Sequence, residues 1–108
     1  MKIIKVYISK SGKNYYRKWF EKIENTTTQN RIITRINRLK FSNYGDCKNL
    51  GDGIYELRMF FGKGYRVYFS EVNKTIILLF CGGDKSSQSE DIKKAKMLLK
   101  EYKETINE

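Results

Sequence analysis

Histidine is absent from this chain, and so is proline. Without histidine no side chain has an ordinary pKa near neutrality, so any reaction must run on arginine, lysine, tyrosine or carboxylate chemistry. The same absence, with only two cysteines present, removes the usual ligands of a zinc site. Aspartates remain as Mg²⁺ ligands, but no clustered carboxylate motif points to one, and no metal is expected. Cys47 and Cys81 lie far apart in sequence and read as buried or loop thiols rather than a disulfide. No apolar run approaches the roughly 18 residues that span a bilayer. The segment from Met1 to Lys5 also lacks the long apolar stretch of a secretory signal, so the expected location is cytoplasmic. There is no internal repeat or low-complexity tract, and 108 residues fit a single domain, 1–108, with a core large enough to fold alone.

Acids are scarce as well. Twelve Asp and Glu stand against 22 Lys and Arg, a net charge of +10, which makes nucleic acid, an anionic membrane surface or an acidic protein the natural partner.

What is present orders itself into alternating patterns. Lys2 to Ser9 is rich in Ile, Val and Tyr and predicts a strand. After the Ser11-Gly12 break, Tyr16, Trp19, Phe20 and Ile23 recur at helical spacing. The polar stretch from Asn25 to Thr28 supplies threonines to cap a second helix, whose core face is Ile32, Ile36 and Leu39. Asn49 to Gly53 reads as a turn-rich entry to three strands, at about 54–60, 65–70 and 75–81. A last helix is expected from Ser87, with Ser87 and Glu90 at capping-box spacing and an apolar face of Ile92, Ala95, Leu98, Leu99 and Tyr102. The order β-α-α-β-β-β-α predicts an α+β domain with its helices packed on one face of a mainly antiparallel sheet.

Register then places the charges. Tyr65, Val67 and Phe69 form one inward set, and Tyr55, Leu57 and Met59 another, which turns Glu56, Arg58, Arg66 and Tyr68 to the opposite face. Both sets point inward together only if the connecting loop is odd in length, pairing Arg58 with Arg66 and Glu56 with Tyr68. Two arginines directly across a strand pair repel by a few tenths to about 1 kcal/mol. Such a pair suits either a bound phosphate or a solvated outer face. The run from Ile76 to Phe80 is apolar on both faces, so part of the outer face should be covered or concave, partly desolvating the arginines. That run ends in Gly82-Gly83-Asp84-Lys85-Ser86 at the start of a helix. Gly83 lets backbone approach a ligand, and the N–H groups near Ser86 favour an anion. A simpler reading makes this a glycine turn capped by Asp84, with Lys85 exposed.

These residues carry a resemblance. Gly51 to Arg58 (Gly-Asp-Gly-Ile-Tyr-Glu-Leu-Arg), Gly62 to Phe69 (Gly-Lys-Gly-Tyr-Arg-Val-Tyr-Phe) and Cys81 to Gln88 (Cys-Gly-Gly-Asp-Lys-Ser-Ser-Gln), then Asp91-Ile92 and Ala95-Lys96, resemble the addiction-module killer proteins. These form the HigB-like branch of the RelE/ParE toxin superfamily of type II toxin–antitoxin systems. The likeness extends to Trp19-Phe20, Arg31-Ile32, Arg35 to Leu39 and Asn43 to Asp46, nearly the whole chain. It implies a compact RelE/ParE-like domain and a toxin that cuts messenger RNA on the translating ribosome, without metal or small-molecule cofactor. It also implies a cognate antitoxin, of the small helix-turn-helix kind, as partner beside ribosome and mRNA, and no membrane.

Arg66, in its Gly-Tyr-Arg context, matches the RelE-type arginine; Arg58 and Lys85 fall near further basic positions. Lys63 stands where proline is common in this branch and adds a phosphate contact. The stretch Ser86 to Ser89 stands where several relatives carry Tyr or His, which leaves the general acid and base open among Lys85, Tyr68 and Glu56. Arg58 and Arg66 are expected to stabilise charge on the phosphorane. Arg31, Arg35 and Arg38, at spacing i, i+4, i+7, read as a stripe that tracks RNA phosphates, as a solvated helix face, or as an antitoxin-binding face. Two other functions fit the same fold: a ParE-like non-catalytic inhibitor of DNA gyrase, and an inactive basic nucleic-acid-binding module.

Overall fold

The computed structural model describes residues 1–107 and runs β1 (Ile3–Val6), α1 (Tyr15–Glu21), α2 (Thr26–Arg38), β2 (Cys47–Gly51), β3 (Ile54–Arg58), β4 (Arg66–Val72), β5 (Ile76–Gly83) and α3 (Gln88–Ile106). The strands form one sheet in the order β1-β5-β4-β3-β2, antiparallel except where β1 lies parallel to β5. This is a compact α+β domain of three helices on a mostly antiparallel five-stranded sheet.

One strand was missed from the expected order. Cys47–Gly51, whose second half, Asn49 to Gly51, was expected in the turn-rich entry, is β2, hairpinned to β3 through Asp52 and Gly53. Both turn residues have positive φ, 55° and 86°, the geometry that an Asp-Gly pair favours in a two-residue hairpin. The capping threonines also gave way: Asn25 caps α2, its side chain accepting from the Thr28 N–H, and the helix begins at Thr26. Asn14 serves α1 in the same way.

The helices do not share one face. Along β4, Val67 and Phe69 face a core with Ile32, Ile36 and Leu39 of the α2 segment, while Tyr68 faces another with Ala95, Leu98 and Leu99 of α3. Ile77 and Leu79 of β5 join the first core, Leu78 and Phe80 the second. The two-sided apolar run of β5 thus has the covered face that its composition required, and α3 is the cover. Each fully buried Ile or Leu contributes about 1.5–3 kcal/mol relative to leaving it in water.

A bulge in β5 sets the end of the sheet. Tyr68 pairs with Cys81 but Phe69 with Leu79, so Phe80 is the extra residue. Phe80 and Cys81 consequently lie in the same core, and the alternation beyond them is reversed. Gly82 then turns toward Trp19 of α1, where a Cβ would sit 2.3 Å from the indole ring. Gly83 turns toward α3 and pairs with Arg66.

Gly82→Ala should therefore displace Trp19 and destabilise the protein by about 1–3 kcal/mol, as an overpacked site does. A lowered urea midpoint with unchanged slope checks this; an unchanged midpoint would mean that the indole gives way freely.

Candidate functional site

The β3–β4 register is the one required by the inward sets. Arg58 pairs with Arg66 and Glu56 with Tyr68, across the seven-residue loop Met59 to Tyr65. The two arginines do not face open water, however. The Nε of Arg58 lies 3.7 Å from Glu56 Oε1, and the Nε of Arg66 lies 3.7 Å from Glu56 Oε2. A carboxylate set between the guanidinium groups cancels the cross-strand repulsion expected of the bare pair.

Burial is deep. Glu56 is 1% exposed, Tyr68 0% and Arg66 5%, while the Arg58 side chain keeps about a third of its surface. The face is closed here because α3 crosses it. Tyr68 donates its hydroxyl to Glu56 Oε2 at 3.0 Å, and Gln88, in the first turn of α3, donates its amide there at 2.9 Å. Arg66 spends an Nη1 hydrogen on the Gly64 carbonyl at 2.7 Å, pinning the glycine loop. Three atoms remain buried without a hydrogen-bond partner: Glu56 Oε1, Arg58 Nε and Arg66 Nε. One acceptor between two cationic donors matches a ligand that offers both a hydroxyl and an anionic oxygen.

Lys85 reaches the same end of the sheet. Its stem packs on Gly64, where a Cβ would come within 2.9 Å of Lys85 Cε, and its residue is exposed. Gly64 has φ +73°, a second reason for glycine there. Lys63, on the same loop, helps hold the Asp84 carboxyl below its usual range, after hydrogen bonding from Ser86. Arg58, Arg66, Lys85 and Lys63 therefore converge.

Ser86 and Gly83 are placed differently from expectation. The Ser86 N–H and hydroxyl both donate to Asp84 Oδ1, at 2.8 and 2.5 Å. The space above Gly83 is filled by the Asp91 carboxylate and the Ser87 hydroxyl, so glycine there permits close packing of helix on sheet. The capping box also moves upstream: Asp84 and Ser87 form it around a single 3-10 turn, Lys85–Ser87. Ser87, just before α3, donates its hydroxyl to Asp91 of that helix at 2.5 Å, in place of the expected Glu90 box.

The stripe on α2 divides. Arg35 is a strut, donating to the carbonyls of Tyr44 (3.0 Å), Arg58 (3.1 Å) and Asp46 (3.3 Å). Burial lowers its pKa, with the neighbouring Arg38 adding to the effect. Arg31 stacks its guanidinium 3.8 Å from the centre of the Phe61 ring. Arg31 and Arg38 are exposed and, with Arg35 and Arg58, line a cleft of about 590 Å³ between α2 and the Arg58–Phe61 corner.

Gln88 and the Phe60-Phe61 pair had no expected role. Gln88 ends the Cys81–Gln88 motif, and its reach to Glu56 depends on where α3 starts. Two phenylalanines beside a glycine turn were the signal for the cleft wall. No group of three or more His, Cys, Asp or Glu side chains gathers among the described residues, and no helix there is long and apolar enough to cross a membrane.

The fold and this site define a small basic α+β domain with a cationic, carboxylate-centred cluster at one sheet end. Among known proteins, the chain is 49% identical over 83 residues to a protein of Haemophilus influenzae named only as uncharacterized, over 77% of this chain and 84% of that one. The chain belongs to that protein's family. No protein-family model and no solved structure matches it.

Tyr68→Phe removes one hydrogen bond to a buried carboxylate and should cost about 1.5–3 kcal/mol of stability in denaturant unfolding at neutral pH. Alkali should act on the same network. Burial, then the Glu56 charge and hydrogen bond, push the Tyr68 phenol well above its usual value. Burial likewise raises Tyr7 and Tyr16 from 10.0 to about 12. The unfolded chain then loses these protons first, so their contribution is full below pH 10.0 and is lost as pH climbs through about 12. A urea midpoint that holds between about pH 10 and pH 12 would contradict this assignment.

Proposed function

We propose that this protein is the toxin of a type II toxin–antitoxin module, with a RelE/ParE-like fold, and that it stops translation by cutting messenger RNA on the ribosome. The observation that carries this reading is the Glu56 carboxylate held between Arg58 and Arg66 with one oxygen free. The resemblance in the segments around Arg58, Arg66 and Lys85 supports the family and the target.

Cleavage by the RNA's own ribose needs three things at once. The 2′-oxygen attacks the adjacent phosphorus, the bond to the 5′-oxygen breaks, and a 2′,3′-cyclic phosphate and a 5′-hydroxyl result. Tyr68 and Gln88 both hold Glu56 Oε2, which leaves Oε1 to take the 2′-hydroxyl proton. Arg58 and Arg66 face the phosphate oxygens, where preorganised donors out of bulk water stabilise the phosphorane charge most. Lys85 stands at the exposed rim to position the phosphate and to protonate the leaving 5′-oxygen. Arg58 is the member of the cluster with surface to spare, so its swing opens the way to Glu56.

Free RNA would be a poor substrate for so covered a site. The ribosome supplies the alignment, which is worth several orders of magnitude when reacting atoms are held in line. A small acidic or helix-turn-helix antitoxin is the partner that neutralises the basic surface in the cell.

Arg66→Ala should abolish growth arrest and the discrete mRNA ends mapped by primer extension after induction, with far-UV circular dichroism unchanged. Arg66→Lys keeps the charge beside Glu56 but not the fork, and should retain the fold while losing most cleavage. A folded, fully toxic Arg66→Ala protein sinks the assignment. Intact mRNA with DNA damage after induction replaces it with a gyrase inhibitor.

A further inference from the structure

We propose that the cleft between α2 and the Arg58–Phe61 corner is a nucleobase subsite for single-stranded RNA, taking the nucleotide next to the phosphate held at Arg58 and Arg66. This rests on the RNA reading above and adds to it a place where the strand is gripped by a base. Phe60, two residues after Arg58, is 72% exposed, an unusual position for a large apolar ring beside a site arginine. Phe61 beside it already has a flat partner, the Arg31 guanidinium at 3.8 Å. Phe60 has the Arg58 guanidinium 5.6 Å from its centre and is largely open to solvent.

The remaining wall suits a nucleotide. At about 590 Å³ the cleft is in the size range of small-molecule sites and holds a base with its sugar. Arg31 and Arg38 stand exposed along it, Asn30 and Asn43 offer amide edges, and Asp46 is the single acid of the lining. Arg35 is committed to three carbonyls and stiffens the wall. Basic side chains interleaved with an open aromatic ring are the pattern that binds single strands by stacking.

An acidic peptide would satisfy the charge alone. Continuity favours RNA: the Arg58 side chain lies 3.7 Å from Glu56 at its Nε and 5.6 Å from the Phe60 ring centre at its guanidinium carbon. A strand with its phosphate at Arg58 therefore delivers an adjoining base to Phe60.

The test measures anisotropy of a short fluorescent single-stranded RNA, and of the same RNA with abasic sites at successive positions, on the purified protein. Phe60→Ala should weaken intact RNA on the order of 5- to 150-fold, the range for losing one base–aromatic stack. Phe60→Tyr should restore binding. One abasic position should make Phe60→Ala and wild type equal, because the partner of the ring is gone. Arg66→Ala should weaken intact and abasic RNA by the same factor. If Phe60→Ala binds like wild type while Arg66→Ala still loses affinity, the subsite is overturned and the phosphate site stands. If neither variant changes RNA affinity, or no RNA binds, the subsite is overturned, and growth arrest with mapped mRNA ends in Arg66→Ala decides the cleavage reading separately. Binding of a synthetic Asp/Glu/Trp peptide that is lost in Phe60→Ala, with RNA unaffected, reassigns the cleft to a protein partner.

Discussion

Glu56 is the side chain on which the arrangement of this domain turns. A carboxylate removed from water costs several kcal/mol unless opposite charge and hydrogen bonds surround it, and here two arginines, a tyrosine and a glutamine do so. The dependence runs both ways. Without Glu56, Arg66 would be a buried unpaired cation facing a second arginine across the strand. Gln88 ties the same carboxylate to the start of α3, so sheet register, helix position and the cationic cluster are one electrostatic unit. Its two free donors and one free acceptor are also what give it the character of a site rather than a closed salt bridge.

The backbone makes that unit possible through β5. The extra residue Phe80 reverses the alternation near the strand end, which sends Gly82 under Trp19 and Gly83 under Asp91. Two glycines let a helix approach each face at a point where any Cβ would collide. The chain then leaves the sheet beside Arg66, and the Asp84-capped turn carries Lys85 over Gly64. Packing demands at one strand end and the gathering of cations thus have a common cause. On the proposed function, the cost of bringing cations together is offset by an anionic substrate that enters between them.

Much of this was legible in the chain itself. The inward sets Tyr55, Leu57, Met59 and Tyr65, Val67, Phe69 forced an odd loop and hence the Arg58–Arg66 and Glu56–Tyr68 pairs, because strand alternation leaves no other way to keep charge out of the larger core. The apolar faces of α1, α2 and α3 followed from helical spacing. The β2 strand was not legible: Cys47 to Gly51 carries little apolar pattern, and it becomes a strand only by pairing with β3. Nor was Arg35 separable from Arg31 and Arg38, since spacing i, i+4, i+7 gives one stripe and only the carbonyls of Tyr44, Asp46 and Arg58 distinguish the strut from its neighbours.

The sequence by itself determined which residues face together, since period 2 and period 3.6 patterns act over a few residues and are read locally. It also determined the excess of positive charge and the exclusion of histidine chemistry. Tertiary structure alone decided that α3 covers the face bearing Glu56, Arg66 and Tyr68, making it a buried cluster in which the Arg58 side chain keeps about a third of its surface. That decision depends on the bulge at Phe80, on the two glycines after it and on Gln88 reaching across the sheet. Each is a contact between segments distant in the chain, and its energy exists only once the sheet has closed.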